Sequence, residues 1–357
     1  MRTRPKLAVT MGDPAGIGPE VVLKALADTE VHRFCRPVVF GDVDWLQRTA
    51  RALNLPLCVV KEAEDTDTAW DGKTVSVRQA TRADLSGVQP GQLSAEAGKA
   101  AAESVLAAAK AALAGEFDAI VTAPLNKEAI ALGGFPYPGH TELLAEVTQT
   151  PRYGMLLLSG PLRVVHVSTH VSLREAIARV KTARVLECIR LGDRACRDLG
   201  ITNPRIAVAG LNPHAGEHGL FGEEDSTEIA PAVAQALAGG VQASGPHPPD
   251  TIFARAANGE FDLVVAMYHD QGHIPVKLHG FDTGVNVTIG LPILRVSVDH
   301  GTAFDIAGRG IAREQSMLEA LRVTVQMVKA KQNVALTPDP SPTLRERGEA
   351  KTPSPSL

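Results

Sequence analysis

The sequence predicts an α/β protein made of two α/β/α domains on largely parallel sheets. Three observations carry that expectation. Short β-branched runs alternate with longer helical stretches, and several of those runs are apolar throughout, as in strands covered on both faces. The chain has 357 residues, more than one small core holds.

The elements follow in order. "KLAV" is the first strand; behind it "GDPAGIGPE", Gly12 to Glu20, leads into a helix opened by Pro19. "PVVFGD" is the next strand. "SAEAGKAAAESVLAAAKAALAGE" is rich in alanine and stops at Gly115, so it predicts a helix of several turns. "AIVTAP", "YGMLLLS", "RVVHVS", "RIAVAGL", "LVVAMY" and "LRVSVD" continue the strands. Between them "SLRE", Ser172 to Glu175, and "DSTE", Asp225 to Glu228, have the form of capping boxes that start helices. Residues 1–128 with 290–333 are expected to form a nucleotide-binding α/β domain, and residues 129–289 a metal-binding, substrate-binding and dimerisation domain. From Val334 the segment 334–357 carries five prolines and no apolar periodicity, which predicts a disordered tail.

Composition narrows the function classes. Lysine plus arginine is 36 against 40 acids, a net charge of -4, and no basic stripe is interleaved with aromatics, so nucleic acid is not an expected partner. The four cysteines show neither CxxC spacing nor a disulfide framework, which suits reduced thiols in the cytoplasm. The basic start is followed by too short an apolar stretch for a signal peptide. No run approaches the roughly 20 apolar residues of a membrane span.

The chemistry gathers at strand ends. In "DLVVAMYHDQGHIPVKLHGFD" an apolar run breaks into His269, Asp270, Gln271, Gly272, His273 and then Lys277. His170 and His214 likewise follow the strands "RVVHVS" and "RIAVAGL". In open α/β sheets ligands bind at that edge, and three neutral imidazoles suit a divalent first-row ion with a position left for substrate. A lone histidine is more often a hydrogen-bonded structural residue, and spacing this long does not choose between the two. His166, inside its strand, is read as structural. In "YPGHTELL", His140 and Thr141 begin a helix; Thr141 is either an N-cap only, or the pair holds substrate oxygens. Lys277, Asn286 and Arg295 together could grip an anionic substrate, and Lys277 could also serve as a base. "GDPAGIGPE" matches neither the dinucleotide GxGxxG nor the P-loop pattern. "HGTAFDIAGRG", His300 to Gly310, is either a tight turn or a nucleotide loop with Asp305 on a ribose hydroxyl.

Taken together, "GDPAGIGPE", "TAPLNKEAI", "GHTE", "STH", "LNPHAGE", "DTIF", "YHDQG", "GVNVTIGLP" and "SVDHGTAFDIAGRG" resemble the 4-hydroxythreonine-4-phosphate dehydrogenase family of pyridoxine biosynthesis, over roughly residues 5 to 330. The resemblance implies a fold like that of isopropylmalate and isocitrate dehydrogenases and a homodimer with shared active sites. It implies NAD- or NADP-dependent oxidation of a C3 hydroxyl on a 4-phosphorylated four-carbon acid, followed by decarboxylation. Carried over by motif, His170, His214 and His269 would hold one divalent metal (zinc, magnesium or cobalt), one of them donated by the partner subunit. His140, Thr141, Lys277, Asn286 and Arg295 match substrate-binding positions. Gly301, Thr302, Asp305 and Ile306 become nucleotide contacts, and Asp250 and Asp270 supporting acids. For catalysis the expected proton acceptor is Lys277, or a water held by Asp250 or His140. "DQGHIPVKLHGFDTGVN" and "VSLREAIARVKT" look more like a branch acting on 4-phospho-D-threonate or 4-phospho-D-erythronate. A zinc hydrolase is the rival class; it would use the three histidines and no nucleotide.

Overall fold

The computed structural model describes residues 4–62, 73–280 and 283–336. Its first half opens with β1 (Lys6–Thr10), α1 (Gly18–Ala27), α2 (Thr29–Phe34), β2 (Arg36–Gly41), α3 (Val43–Ala52), β3 (Cys58–Lys61) and β4 (Thr74–Gln79). Gly12 turns the chain out of β1 at φ +73°, where any Cβ would stand 2.5 Å from the Pro124 carbonyl oxygen. α4 (Ala95–Leu113) is capped by the Ser94 hydroxyl, which accepts from the Ala97 amide. Its alanines allow close packing, and α5 (Lys127–Leu132) lies against it beyond β5 (Ala119–Thr122).

The second half follows with α6 (His140–Val147), β6 (Gly154–Ser159), β7 (Leu162–His166), α7 (Leu173–Arg179), α8 (Thr182–Asp198) and β8 (Ile206–Ala209). After a turn over 213–219 come α9 (Ala230–Ala238), β9 (Ala243–His247), α10 (Ile252–Ala257), β10 (Leu263–Ala266), α11 (His269–His279) and β11 (Val285–Ile289). β12 (Arg295–Val298) returns to the first half, and α12 (Gln315–Leu336) closes the described chain.

The twelve strands among the described residues join one sheet in the order β3-β4-β2-β1-β5-β12-β11-β6-β7-β10-β8-β9, rather than one sheet per domain. Eight of its pairings are parallel. The three antiparallel ones, β12 with β11, β11 with β6 and β6 with β7, are consecutive at the centre. Three reversals leave the parallel strands of the second half running opposite to those of the first. The carboxyl ends of β1, β5 and β12 therefore face one edge of the sheet, and those of β7, β10, β8 and β9 the other. Helices cover both faces, and the apolar strands are buried.

Every strand expected from the sequence is present, and β3, β4, β9 and β11 are additional. "SLRE" starts a helix as expected, with the Ser172 hydroxyl accepting from the Glu175 amide. "DSTE" does not cap one. Asp225 is buried and accepts from the Leu211 and Asn212 amides, so its carboxylate ties down the 210–216 segment. The N-cap of α6 is Gly139, not Thr141. Of the expected disordered tail, residues up to Leu336 belong to α12; the remainder, 337–357, lies outside the described residues. No helix among the described residues is long and apolar enough to cross a membrane.

Candidate active site

Side chains alternate along a strand, so Arg295, Ser297 and Asp299 project from one face of the sheet. Register adds their neighbours to that face: Arg295 pairs with Thr288, and Ser297 with Asn286 on one side and Thr122 on the other. A cavity of about 330 Å3 lies over these residues. Its walls come from the segment after β5, the start of α6, the loop after β12 and His170 beyond β7. The cleft thus crosses the sheet from the carboxyl edge of the first half toward that of the second.

Arg295 is the buried cation of this cleft. It is 2 % exposed, and its side-chain hydrogen bonds among the described residues go to hydroxyls. Its Nε and Nη2 donate to the Thr122 hydroxyl at 3.0 and 2.7 Å, and Nη1 donates to the Thr288 hydroxyl at 2.9 Å. Burial pulls its pKa down to about 9, and Glu142 acts the other way. A buried cation supported only by neutral hydroxyls calls for an anion. Three further buried atoms of the cleft lack hydrogen-bond partners, Oδ1 of Asn286 and Nε2 of both His140 and His300. Burial, and then the charge of Arg295, hold the His140 pKa well below 6.5, so this imidazole is neutral. The site therefore offers one desolvated cation, one unpartnered acceptor and one uncharged ring, with Thr141 on the same wall.

Imidazoles gather at the other end. His170 and His269 approach with ring centroids 5.8 Å apart, since β7 and β10 are neighbours and each ring follows its strand end. Burial, and then Lys127 and His269, lower the His170 pKa and favour its neutral form. The Nδ1 of His269 lies 2.7 Å from Oδ1 of Asp270. That arrangement orients the ring and leaves Nε2 for another ligand. Two neutral-capable imidazoles with an orienting carboxylate fit a divalent ion by donor chemistry. Within one chain, however, no group of three or more such side chains among the described residues could hold a metal. His214 follows β8 at the same sheet edge, but it is exposed, beside Phe221, in a turn where residues 214–218 all have positive φ.

The remaining expected residues are scattered. Lys277, on α11, is exposed and not on the cleft wall, although its charge acts on Asp299, which is. Asp250 is exposed after β9 and does not line the cleft. Gly301 reaches the cleft, while Thr302, Asp305 and Ile306 lie farther along a loop of successive turns. The Thr302 carbonyl accepts from the Ile17 amide at 2.9 Å, which docks this loop on "GDPAGIG".

The sequence places His273 in the run that follows β10 but gives it no role. Its ring stacks on His269 at 3.5 Å and lies 4.7 Å from the His166 ring, so His166 belongs to the same imidazole group. The signal was present, because residues four apart share a helix face. Lys127, Glu142 and His300 also line the cleft without having been singled out.

An α/β sheet with a desolvated arginine in its cleft and paired imidazoles beyond offers the polar groups that an anionic, hydroxyl-bearing molecule would need. The family model "Pyridoxal phosphate biosynthetic protein PdxA" matches residues 33–324, and the chain belongs to this family. It is 49 % identical over 323 residues to the D-threonate 4-phosphate dehydrogenase of Cupriavidus necator, covering 89 % of this chain and 96 % of that one. It is 46 % identical over 325 residues to the 4-hydroxythreonine-4-phosphate dehydrogenase of Desulforapulum autotrophicum, covering 90 % and 94 %. A crystal structure titled 4-hydroxythreonine-4-phosphate dehydrogenase from Klebsiella pneumoniae superposes with a TM-score of 0.84 at 46 % identity, covering 91 % of this chain and 98 % of that one.

Proposed function

We propose that the chain is an NAD- or NADP-dependent dehydrogenase. It oxidises the C3 hydroxyl of a four-carbon acid phosphorylated at C4, and the product then loses carbon dioxide. The observation that carries this reading is Arg295, a buried guanidinium whose protein partners are all neutral, at the floor of a cleft lined by unpartnered polar atoms. A zinc hydrolase would leave that anion site without a purpose.

Arg295 forks onto the phosphate or carboxylate of the substrate. Asn286 Oδ1 accepts from a substrate hydroxyl or ammonium, and His140 with Thr141 orients the reacting end. The C3 hydroxyl proton goes to Nζ of Lys277 in its neutral amine form; the side chain is near enough to the cleft wall for its protonated form to act on Asp299. C3 gives up its hydride, and NAD or NADP supplies the acceptor when bound. The new carbonyl is β to the carboxylate, so the carbon–carbon bond breaks and carbon dioxide leaves. Protonation of the resulting enolate gives a three-carbon phosphorylated ketone.

His170 and His269 of one chain with His214 of a second copy would hold one divalent ion (zinc, magnesium or cobalt), which when bound acts as a Lewis acid and makes the C3 hydroxyl more acidic. The need for a second copy has independent support. Leu173 (60 % exposed), Leu220 (72 %) and Leu278 (82 %) lie on α7, on the His214 turn and on α11, in the segments that carry the three imidazoles. Such apolar exposure suits a homodimer interface. β8 and β9 are neighbours, so a partner that delivers His214 brings Asp250 with it.

Two substrates differ only at C2, amino in 4-hydroxythreonine 4-phosphate and hydroxyl in D-threonate 4-phosphate. The name of the Cupriavidus necator relative favours the second. The test is a panel of both, with 4-phospho-D-erythronate, against NAD and NADP after chelation and return of zinc, magnesium or cobalt. Reduced nucleotide with none of them would end the proposal.

A further inference from the structure

The strand ends that lead to the imidazoles are tied to one another beyond the point where their ladders stop. β10 pairs with β7 as far as Ala266 opposite His166, and with β8 as far as Val265 opposite Val208. Past those pairs the three segments run on to His269, His170 and His214. Met267 lies at this fork and is buried, so its main-chain groups need partners within the protein. Its amide donates to Oε1 of Gln271 at 2.6 Å, and its carbonyl accepts from the Ser168 hydroxyl at 3.2 Å. Nε2 of the same Gln271 side chain donates to the buried Gly210 carbonyl at 2.7 Å. We infer that Gln271 is a positioning residue for two active sites at once: it holds the strand end that bears His269 for its own chain's site and the strand end that bears His214 for the partner's.

An amide is the group this position needs. One partner is a donor and the other an acceptor, and a primary amide answers both from a single rigid plane. The same two partners fix which end of the side chain is oxygen. A carboxylate would still accept from Met267 but would face the Gly210 carbonyl with no proton to give. An apolar side chain of equal length would leave both buried main-chain groups unpaired.

Position shows what the tie controls. Met267 lies two residues before His269 and Gln271 two residues after it, so their hydrogen bond closes a loop around the imidazole. Gly210 lies four residues before His214, and Asp225 holds the segment between by accepting from the Leu211 and Asn212 amides at 2.8 and 3.1 Å. A shift at Gly210 therefore carries through to His214 with little slack. Ser168, two residues before His170, fastens the third strand end to the same Met267 peptide. The service to two sites rests on the reading in which His170 and His269 of one chain meet His214 of a second copy; the hydrogen bonds themselves do not.

Mixed dimers of the full-length chain test the inference. His214→Ala in a first chain and His269→Ala in a second, co-expressed with different affinity tags, leave one complete site, with His170 and His269 from the first chain and His214 from the second. Gln271→Met is then placed in either chain, with the melting midpoint as a check on folding. Cobalt affinity of the complete site is read from visible absorption in competition with a chelator. Gln271→Met should weaken cobalt binding by about tenfold from either chain. Gln271→Glu keeps the acceptor for Met267 and loses the donor to Gly210, so it should weaken binding only from the second chain; a general loss of packing would not separate the two placements. Unchanged affinity with Gln271→Met in either chain, or equal effects of Gln271→Glu from both, overturns the inference and leaves the shared site standing. No cobalt bound by the mixed dimer that retains Gln271 in both chains rejects the shared site, and the inference with it. Substrate-dependent reduction of NAD by the unmodified protein is measured alongside, because it tests the dehydrogenase reading independently of Gln271.

Discussion

Arg295 donates two hydrogen bonds to a single oxygen, the hydroxyl of Thr122, from Nε at 3.0 Å and Nη2 at 2.7 Å. The hydroxyl fixes the plane of the guanidinium without neutralising it. The charge is therefore kept for whatever enters the cleft.

Lysine keeps that charge but loses the planar fork. Arg295→Lys should raise KM and lower kcat/KM by about a hundredfold while the circular dichroism spectrum stays the same. Kinetics equal to those of the parent would take Arg295 out of substrate recognition.

Lys277 is the proton acceptor in the proposed reaction, and its loss should then show in a different constant. Lys277→Met is expected to lower kcat by about a hundredfold with KM little changed, because the proton acceptor is lost and the anion site is not. A change confined to KM would instead make Lys277 a binding residue.

Asp270 orients His269 through the 2.7 Å contact at Nδ1. Asp270→Asn should weaken binding of zinc or cobalt by about tenfold to a hundredfold, measured by competition with a chelator. Equal affinity in the two proteins would show that the carboxylate does not support a metal ligand.

Two buried groups give opposite pH signatures. Burial, then Arg295, lower the pKa of His140, so between that value and 6.5 the unfolded chain binds the proton more readily than the native one. Its share of stability is complete above 6.5 and declines as pH falls through that window. Burial raises the pKa of Asp13 from 3.8 to about 6, so here the native state holds the extra proton. Its share is complete below 3.8 and is lost as pH rises through 6. Relative to the parent, His140→Gln should gain stability as the medium is acidified below 6.5, and Asp13→Asn should gain as pH rises from 3.8 past 6. Urea unfolding across this range decides it; differences that do not vary with pH would contradict both assignments.

Gly272 lets α11 lie against β7. A Cβ there would stand 2.3 Å from Nε2 of His166 and 2.7 Å from Cγ1 of Val164. Gly272→Ala should destabilise the fold by about 1–3 kcal/mol through overpacking, seen as a lower melting midpoint. An unchanged midpoint would mean that the helix shifts freely on the strand.

The interior strands were readable because burial on both faces selects mostly apolar segments, such as Leu7 to Val9 in β1, Val164 and Val165 in β7 and the whole of β10. β3 and β9 are edge strands and carry less of that pattern; "ASGPH" of β9 contains both glycine and proline. β11 reads "VNVTI", alternating apolar and polar positions, and the polar ones include Asn286 of the cleft. For the site, Arg295, Asn286, His140 and Thr141 could be gathered from motif and strand-end position, and the structure places all four on one wall system. His273 required a helix face to be drawn from His269. Lys127 required knowing that the segment after β5 meets α6. The position of His214 depends on a run of left-handed residues tied by Asp225, which local propensity disfavours and only tertiary bonding holds.

The central reversal of strand direction has a mechanical consequence. β12, β11 and β6 join the two halves by continuous hydrogen-bonded ladders beneath the cleft. A rotation that narrows the gap between anion site and imidazoles must twist those ladders, since the sheet provides no slack tether at that point. The spacing of the anion site and the imidazoles is thus tied to the twist of the sheet, and whatever stiffens its middle strands holds that spacing more tightly.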